Sequence, residues 1–463
     1  MQRTAQMHVV KRGIDLPVTG DPEQVVGPPI RVDKVALLPL DYLGLKPRLK
    51  IAVGDSVRRG ELLFTDRKNQ ALRFTSPGAG KVIAVHRGER RAILSVVLEL
   101  SPEEQSEGGP VDEVTYEQFT GKTPSELSRR EIKDLLLESG LWTALRVRPF
   151  GGIPDPEASP HFLFVTATDT NPSAPDVDTV LAGQEEDFGV GLAALAKMVG
   201  DAKTFLCRAP GSLKWLENKT GVEIAEFKGP HPSGTVGLHI HTLAPVDRER
   251  NAWHIGYQDV TAIGHLLKTG HLCVERIVSL AGSAVRKPRL LKTRIGASID
   301  ALVQGELTDG ENRVLTGSVF SGRVASGEAL GYLGRYHNQI TALLEGRKQQ
   351  LFGWLGLGLN RFSFTRLFLS RLAPQKKRAF DTNAGGGLRT MVPVGLYEKV
   401  FAFDLLATPL LRALLAEDDE RAEELGCLEL EEEDLALCSF ICPCKIDYGV
   451  ALRKALSRIE EAG

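Results

Sequence analysis

Four of the six cysteines in this 463-residue chain fall in its last stretch: Cys427, Cys438, Cys442 and Cys444. Thiolates are soft metal ligands, and Cys438-Ser-Phe-Ile-Cys442-Pro-Cys444-Lys445 ends as iron–sulfur motifs do, with a proline directly after a cysteine. The spacing ahead of that ending is wrong. A cubane takes thiolates at two-residue intervals, so that each sulfur reaches its own corner. Where those cysteines should stand, the chain reads Glu431-Glu432-Glu433-Asp434-Leu435. Carboxylates are hard ligands and would add charge to an already anionic site. Two readings follow. In the first, the thiols are free, buried and behave as small hydrophobes in a dismantled cluster domain. In the second, Cys427, Cys438, Cys442 and Cys444 hold a zinc ion or a cluster at unorthodox spacing.

Other residue types capable of chemistry are thinly spread. A flavin or nucleotide phosphate needs a glycine-rich loop feeding a helix N-terminus, where bare amides approach the phosphate. Gly140-Leu-Trp142-Thr-Ala-Leu145-Arg146-Val-Arg148-Pro-Phe150-Gly-Gly152 is the nearest candidate, but Trp142 and Leu145 would occupy the cofactor's space. Arg146 and Arg148 either hold an anion or pair with carboxylates. Gly385-Gly-Gly387 has no strand before it and is a weak phosphate loop. His239 and His241, read as one face of a strand with His231 near, could bind a metal, but no carboxylate or cysteine sits beside them. A hydrogen-bonded structural role is the plainer reading.

These residues must be positioned by a chain long enough for about three or four domains. Its composition, 42% hydrophobic and 25% charged, is that of an ordinary globular protein. The formal charge of −2 gives no footprint for nucleic acid and no polybasic membrane anchor. No apolar run is long enough to span a bilayer, and the N-terminus has no signal-peptide core. Unpaired cysteine spacing fits a reducing compartment.

Residues 1–110 read as short strands around Gly-Asp and Pro-Gly punctuation, resembling the barrel-sandwich hybrid fold of biotinyl and lipoyl domains. The lysine-carrying position of such a carrier falls on Asn69, one place from Lys68, which argues against a carrier. A polar linker at 101–110 follows. Residues 111–252 alternate helix and strand: a capping box at Ser128 to Glu131, a strand at 162–166, a helix at 187–198 and a strand at 204–207, which imply a Rossmann-like, mostly parallel α/β layer. Residues 253–345 return to short strands around one helix at 260–267, a β-grasp module like the SLBB domain. Residues 346–463 form a C-terminal helical domain, in which Glu417-Asp-Asp-Glu420 is a solvated face.

Several long stretches resemble the A subunits of the sodium-translocating NADH:quinone reductases. They include Lys11-Arg-Gly13-Ile-Asp15-Leu-Pro17, Ser139 to Phe150, Gly229-Pro-His-Pro232 through His241, Gly334-Arg-Tyr-His337, Glu345-Gly-Arg-Lys, Leu351-Phe-Gly-Trp354, Arg389-Thr-Met-Val-Pro393 and Leu425 through Pro443. That family is related to the flavin-binding subunits of complex I and the Rnf complex. The resemblance implies a peripheral protein on the cytoplasmic face of the bacterial inner membrane, within a sodium-pumping translocase. It implies the B to F subunits as partners, with docking on the membrane-embedded B subunit, and ubiquinone or menaquinone as a ligand of the complex. It also implies that FMN, FAD, riboflavin and iron–sulfur centres lie on the partners and none on this chain. Two features depart from the pattern: Gly151 to His161 is longer and richer in proline, and Cys444 stands where glycine is expected. A quinone head group needs an apolar slot with donors aimed at its carbonyls. Ala36 to Leu45 and Trp142 to Phe150 offer those residue types, with Leu37, Tyr42, Trp142, Arg146, Arg148 and Phe150 as candidates. The plainer alternative is that both segments are packing or docking surfaces.

Overall fold

The computed structural model describes residues 6–105, 111–216, 221–347, 357–359, 361–365, 367–372 and 376–462. The stretch Leu351 to Trp354, which carried part of the resemblance, lies outside the described residues.

Alternating valines and leucines fold residues 34–100 into two facing antiparallel sheets. One orders its strands as Lys34–Leu37, Ile93–Leu100, Gly80–Arg87 and Ser56–Val57; the other comprises Pro47–Leu49, Leu62–Asp66 and Arg73–Thr75. Val35, Leu63, Phe64, Phe74, Val82 and Leu98 fill the space between them. Lys68 is exposed in the turn joining Leu62–Asp66 to Arg73–Thr75, beside Asn69, whose Oδ1 accepts from the Ala71 amide at 3.0 Å.

The α/β layer is a six-stranded sheet ordered Gln6–Val9, Glu223–Lys228, Lys203–Arg208, Phe162–Ala167, Ala252–Gly256 and Arg146–Arg148. All neighbours are parallel except the last, antiparallel pair. Fully buried parallel strands must be apolar on both faces, as Phe162-Leu-Phe-Val is. The helix Arg129–Ser139 starts at the expected capping box on Ser128. The helices Glu185–Val199 and Tyr257–Thr269 cross where Gly191 faces Gly264. A Cβ on either would collide with the backbone of the opposite helix, so only glycine permits so close a crossing.

This sheet reaches past the division expected at 252. Ala252–Gly256 is one of its central strands, and Tyr257–Thr269 packs on it rather than on the β-grasp module. His239 and His241 also differ from expectation: they lie on a helix, Val236–Leu243, and not on a strand. At helical spacing i and i+2 point apart. His239 bonds the Ser233 carbonyl at 2.9 Å, and His241 bonds Glu429 at 2.7 Å.

The third body is a mixed sheet ordered Arg323–Val324, Asn312–Thr316, Gln339–Leu344, Glu275–Ala281, Arg289–Arg294 and Glu23–Pro29. Its last strand comes from the N-terminus. Beyond residue 400 the helices Ala407–Ala416, Asp419–Glu424, Ala436–Ile441 and Tyr448–Ala462 enclose Tyr397, Phe403, Leu410, Leu411, Leu452 and Leu456. Within the run Glu417 to Glu420, Asp418 caps a helix and Asp419 pairs with Arg458 at 2.6 Å. No helix among the described residues is long and apolar enough to cross a membrane.

Candidate functional site

In open α/β sheets, ligand sites form beyond the carboxyl ends of the strands, where neighbouring strands continue in opposite directions. Here that point lies between Phe162–Ala167 and Ala252–Gly256. A cavity of about 460 Å³ sits there, floored by Thr166, Thr168, Asp169 and Asn171 from one strand end and by His254, Gly256 and Tyr257 from the other. The β-grasp sheet closes one side with Arg276, Arg323, Arg335 and Tyr336. Glu431, Glu432 and Glu433 reach in from the C-terminal domain.

Most of its charge is already paired. Arg335 places Nη1 2.9 and 3.1 Å from the two Asp259 oxygens, and Arg276 pairs with the same carboxylate. Arg146 donates to Glu431 at 2.9 Å and lies 5.1 Å from the Tyr336 ring centre. Arg148, fully buried, meets Glu431 at 3.0 Å and donates to both Asp434 and the Glu429 carbonyl at 3.0 Å. Arg453 grips Glu432 through two contacts of 2.6 Å, and Asn171 donates to Glu433 at 3.1 Å. The acidic run that stands in place of cluster cysteines therefore forms a cavity wall clamped to the α/β domain.

Burial alone would raise Glu431, but Arg146 and Arg148 hold it at about 2. Asp434 gets only a share of Arg148 and has the Glu431 anion beside it, so burial lifts it to about 6. Burial likewise lifts Asp169 to about 6. His254 is held far below its ordinary value by burial, reinforced by Arg146, and is neutral at pH 7. Its Nε2 and the Thr166 hydroxyl have no hydrogen-bond partner among the described residues, and both residues line the cavity. Buried polar groups of this kind are met by water or by a ligand.

The six residues singled out for a quinone do not all reach this space. Arg146 lines it. Tyr42 stands one ring behind the wall, edge-on to Tyr336 at 6.0 Å and to Phe74 at 4.7 Å. Leu37 is buried in the N-terminal sandwich. Arg148 is consumed by Glu431 and Asp434, and Phe150 packs against the C-terminal core. Trp142 lies on a separate cleft of about 490 Å³ with Trp253, Pro156 and Pro160, its indole donating to the Pro154 carbonyl at 2.9 Å. Even so, the two segments that carry these residues converge on the cavity through other side chains. Leu40 and Leu43, 45% and 41% exposed, meet Ala144 and Ile153 at its mouth. Sequence reasoning missed these, together with Asp169, His254, Asp259 and Arg335. The available signal was position: Asp169 and Tyr257 directly follow central parallel strands.

The cysteines form no comparable opening. Cys427, Cys438, Cys442 and Cys444 are all buried in the C-terminal core. Cys442 Sγ lies 3.3 Å from the Tyr397 hydroxyl and 3.6 Å from that of Tyr448, which donates to Tyr397 at 2.8 Å. Burial opposes its ionisation, but hydrogen bonds from the Tyr397 hydroxyl, the Ile446 amide, the Tyr448 hydroxyl and the Cys444 amide together outweigh burial, and the thiol sits below its ordinary value. Burial pushes Cys427 up to about 12 and Cys438 well above its ordinary range. Among the described residues, no three His, Cys, Asp or Glu side chains are gathered as a metal site.

Comparison with known proteins agrees with this architecture. Residues 8–101 match the model of an NqrA N-terminal barrel-sandwich hybrid domain, residues 127–272 that of an NqrA second alpha/beta domain, and residues 277–327 that of an NQRA C-terminal domain of the SLBB type. The protein is thus a mixed α/β assembly of NqrA-type domains. The chain is 48% identical over 454 residues to the A subunit of the Na(+)-translocating NADH-quinone reductase of Pseudomonas aeruginosa, covering 98% of this chain and 99% of the relative. The corresponding protein of Yersinia pseudotuberculosis is 45% identical with the same coverage, and that of Saccharophagus degradans is 47% identical over 456 residues. The chain belongs to the family of Na(+)-translocating NADH-quinone reductase A subunits. A solved NAD+-reducing [NiFe]-hydrogenase is similar over 50% of this chain and 49% of its own, at 17% identity and a TM-score of 0.37, too distant to inform the site.

Proposed function

We propose that this chain is the peripheral A subunit of a sodium-pumping NADH:quinone oxidoreductase and forms part of the surface that meets the quinone. The observation that carries the assignment is identity of 45–48% sustained over nearly the full length of both chains. In this reading the chain docks on the membrane-embedded B subunit, on the cytoplasmic face of the bacterial inner membrane. FMN, FAD, riboflavin and the iron–sulfur centre belong to the partner subunits. Its Rossmann-like layer keeps the position of a nucleotide site but not its chemistry, and its helical C-terminal domain keeps the outline of a cluster domain. The cavity supports this: its arginines are already engaged, Arg146 by Glu431 and Arg276 and Arg335 by Asp259, which leaves them little charge to offer a phosphate. The same lining suits a neutral head group. Leu40, Leu43 and Ile153 give it an apolar mouth, Arg146 stands ready to donate to a carbonyl oxygen, and neutral His254 has an unpartnered nitrogen.

Photo-crosslinking with an azidoquinone in the assembled complex tests the role. Label should appear on the peptides holding Leu40 to Leu43 and Arg146 to Ile153, and excess quinone should suppress it. Labelling confined to the partner proteins removes the quinone role from this chain while leaving its membership of the complex intact.

A further inference from the structure

Between Gly346 and Phe380 the sequence has eight lysines and arginines and no aspartate or glutamate, in a chain whose formal charge is −2. The described residues of this stretch sort their apolar side chains by size and direction. Phe362 packs inward, its ring centre 5.6 Å from Phe380 and 5.8 Å from Phe440, and Phe364 packs against the C-terminal core. Phe368 is held against Gly358, with the Arg361 guanidinium 5.8 Å from its ring centre. The Leu369 amide donates to the Leu357 carbonyl at 3.0 Å, so the two arms of the stretch are one folded unit. Its leucines point the other way: Leu357, Leu359, Leu367 and Leu372 are 69%, 61%, 80% and 76% exposed.

A fold that half-buries its phenylalanines and leaves four leucines in water leaves a surface that something else covers. The surrounding charge selects the cover. Protein–protein interfaces are depleted of lysine, whereas leucines interspersed in sequence with lysines and arginines are the make-up of segments that settle into the headgroup boundary of a bilayer. Lys376 and Lys377, a few residues along the chain from Leu372, are exposed. Arg347 pairs with Glu311 and Lys377 with Asp21, but both pairs are exposed, and such pairs give way readily to a stronger anionic surface.

We propose that Leu357, Leu359, Leu367 and Leu372, with the cations around them, rest directly on an anionic bilayer. The surface goes beyond docking through a partner protein: it supplies a second, lipid-borne contact that sets how the chain leans on the membrane. Shallow leucines and a handful of charges give weak, reversible binding, which is the expected strength for one of two signals.

Flotation of the purified full-length chain tests this, using phosphatidylcholine vesicles with and without phosphatidylglycerol. The chain should co-float with the phosphatidylglycerol vesicles only and leave them as salt rises, because screening shortens the reach of the charges. The double variant L367E/L372E changes two exposed positions, and its thermal unfolding should match the parent while its vesicle binding drops roughly tenfold or more. K376E/K377E is the second variant and should lose binding in the same direction. No co-flotation with anionic vesicles, undiminished binding of both variants, or membrane recovery only when partner proteins are present would each overturn the proposal.

Discussion

The acidic run Glu431 to Asp434 and the thiols of Cys438 and Cys442 are near neighbours in sequence, yet they occupy opposite kinds of environment. Glu431 and Asp434 leave their own domain, cross to the α/β layer and are held there by Arg146 and Arg148. The thiols stay home in a dry core with Tyr397 and Tyr448 as their polar company. In sequence both halves look like pieces of one metal-binding motif. In space one half joins two domains and walls a cavity, while the other fills a core. The difference is one of solvation: a carboxylate must find a cation when buried, and a thiol need only find shape.

Removing the cation from the first region is the hardest test of that contrast. Arg148→Ala leaves Glu431 and Asp434 buried with less compensation and should cost about 3–5 kcal/mol in urea unfolding. A loss below about 1 kcal/mol would mean that the clamp is not what joins the domains. In the second region, Cys438→Ser should cost about 1–3 kcal/mol, because it buries a hydroxyl among apolar groups, and Cys438→Ala should cost less. Equal losses in both variants, accompanied by loss of bound metal, would instead make Cys438 a ligand.

The pH response separates the regions further. Asp434 and Asp169, both lifted to about 6, take up protons in the folded state well before they would in the unfolded one. Each therefore adds about 1 kcal/mol to stability as pH falls from 7 towards 5. Glu431, held at about 2, acts oppositely: its contribution is present above the usual carboxylate value and is lost as pH falls towards 2. Buried His231, His239, His254 and His337, all held below their ordinary value by burial, act the other way over the same interval and outnumber the two aspartates, so the melting temperature of the parent should fall from pH 7 to pH 5. The fall should be steeper in Asp434→Asn and Asp169→Asn, and an equal fall in parent and variants would contradict the role of the aspartates. The smallest expected effect is that of Tyr448→Phe. It removes one neutral hydrogen bond, about 0.5–1.5 kcal/mol, and one hydroxyl from Cys442, so in the folded protein the thiol should titrate higher, read from the pH dependence of its thiolate absorbance.

Local pattern made much of the architecture legible. Phe162-Leu-Phe-Val, the capping box at Ser128 and the apolar face of Glu185–Val199 each announce their element through periodicity or end chemistry. The helix Val236–Leu243 misled because it is only eight residues long and its histidines alternate with apolar residues as a strand's would. The strand Ala252–Gly256 was missed because its identity comes from burial between a parallel and an antiparallel neighbour and not from its own residues. The site was legible only as segments. That Ala36 to Leu45 and Trp142 to Phe150 carry apolar and donor groups is a sequence fact; that Leu40, Leu43 and Arg146 are the ones facing the cavity depends on how three bodies meet. Net charge says nothing of how charge is distributed. An average near zero conceals a stretch that is wholly basic, since segregation and not sum decides what a surface attracts.

The two strands nearest the N-terminus have a consequence for how this chain comes off the ribosome. Gln6–Val9 has its partner at Ala225 to Lys228, and Glu23–Pro29 has its partner at Arg289 to Lys292. Both segments are made well before their partners and are thus among the last to be placed. They wait unpaired while the sandwich at residues 34–100 and most of the α/β layer are made, a delay on the order of ten seconds or more at ordinary elongation rates. Nascent chains of this protein therefore expose two sheet-forming edges throughout early synthesis, and it is there that a holding chaperone would have most to shield.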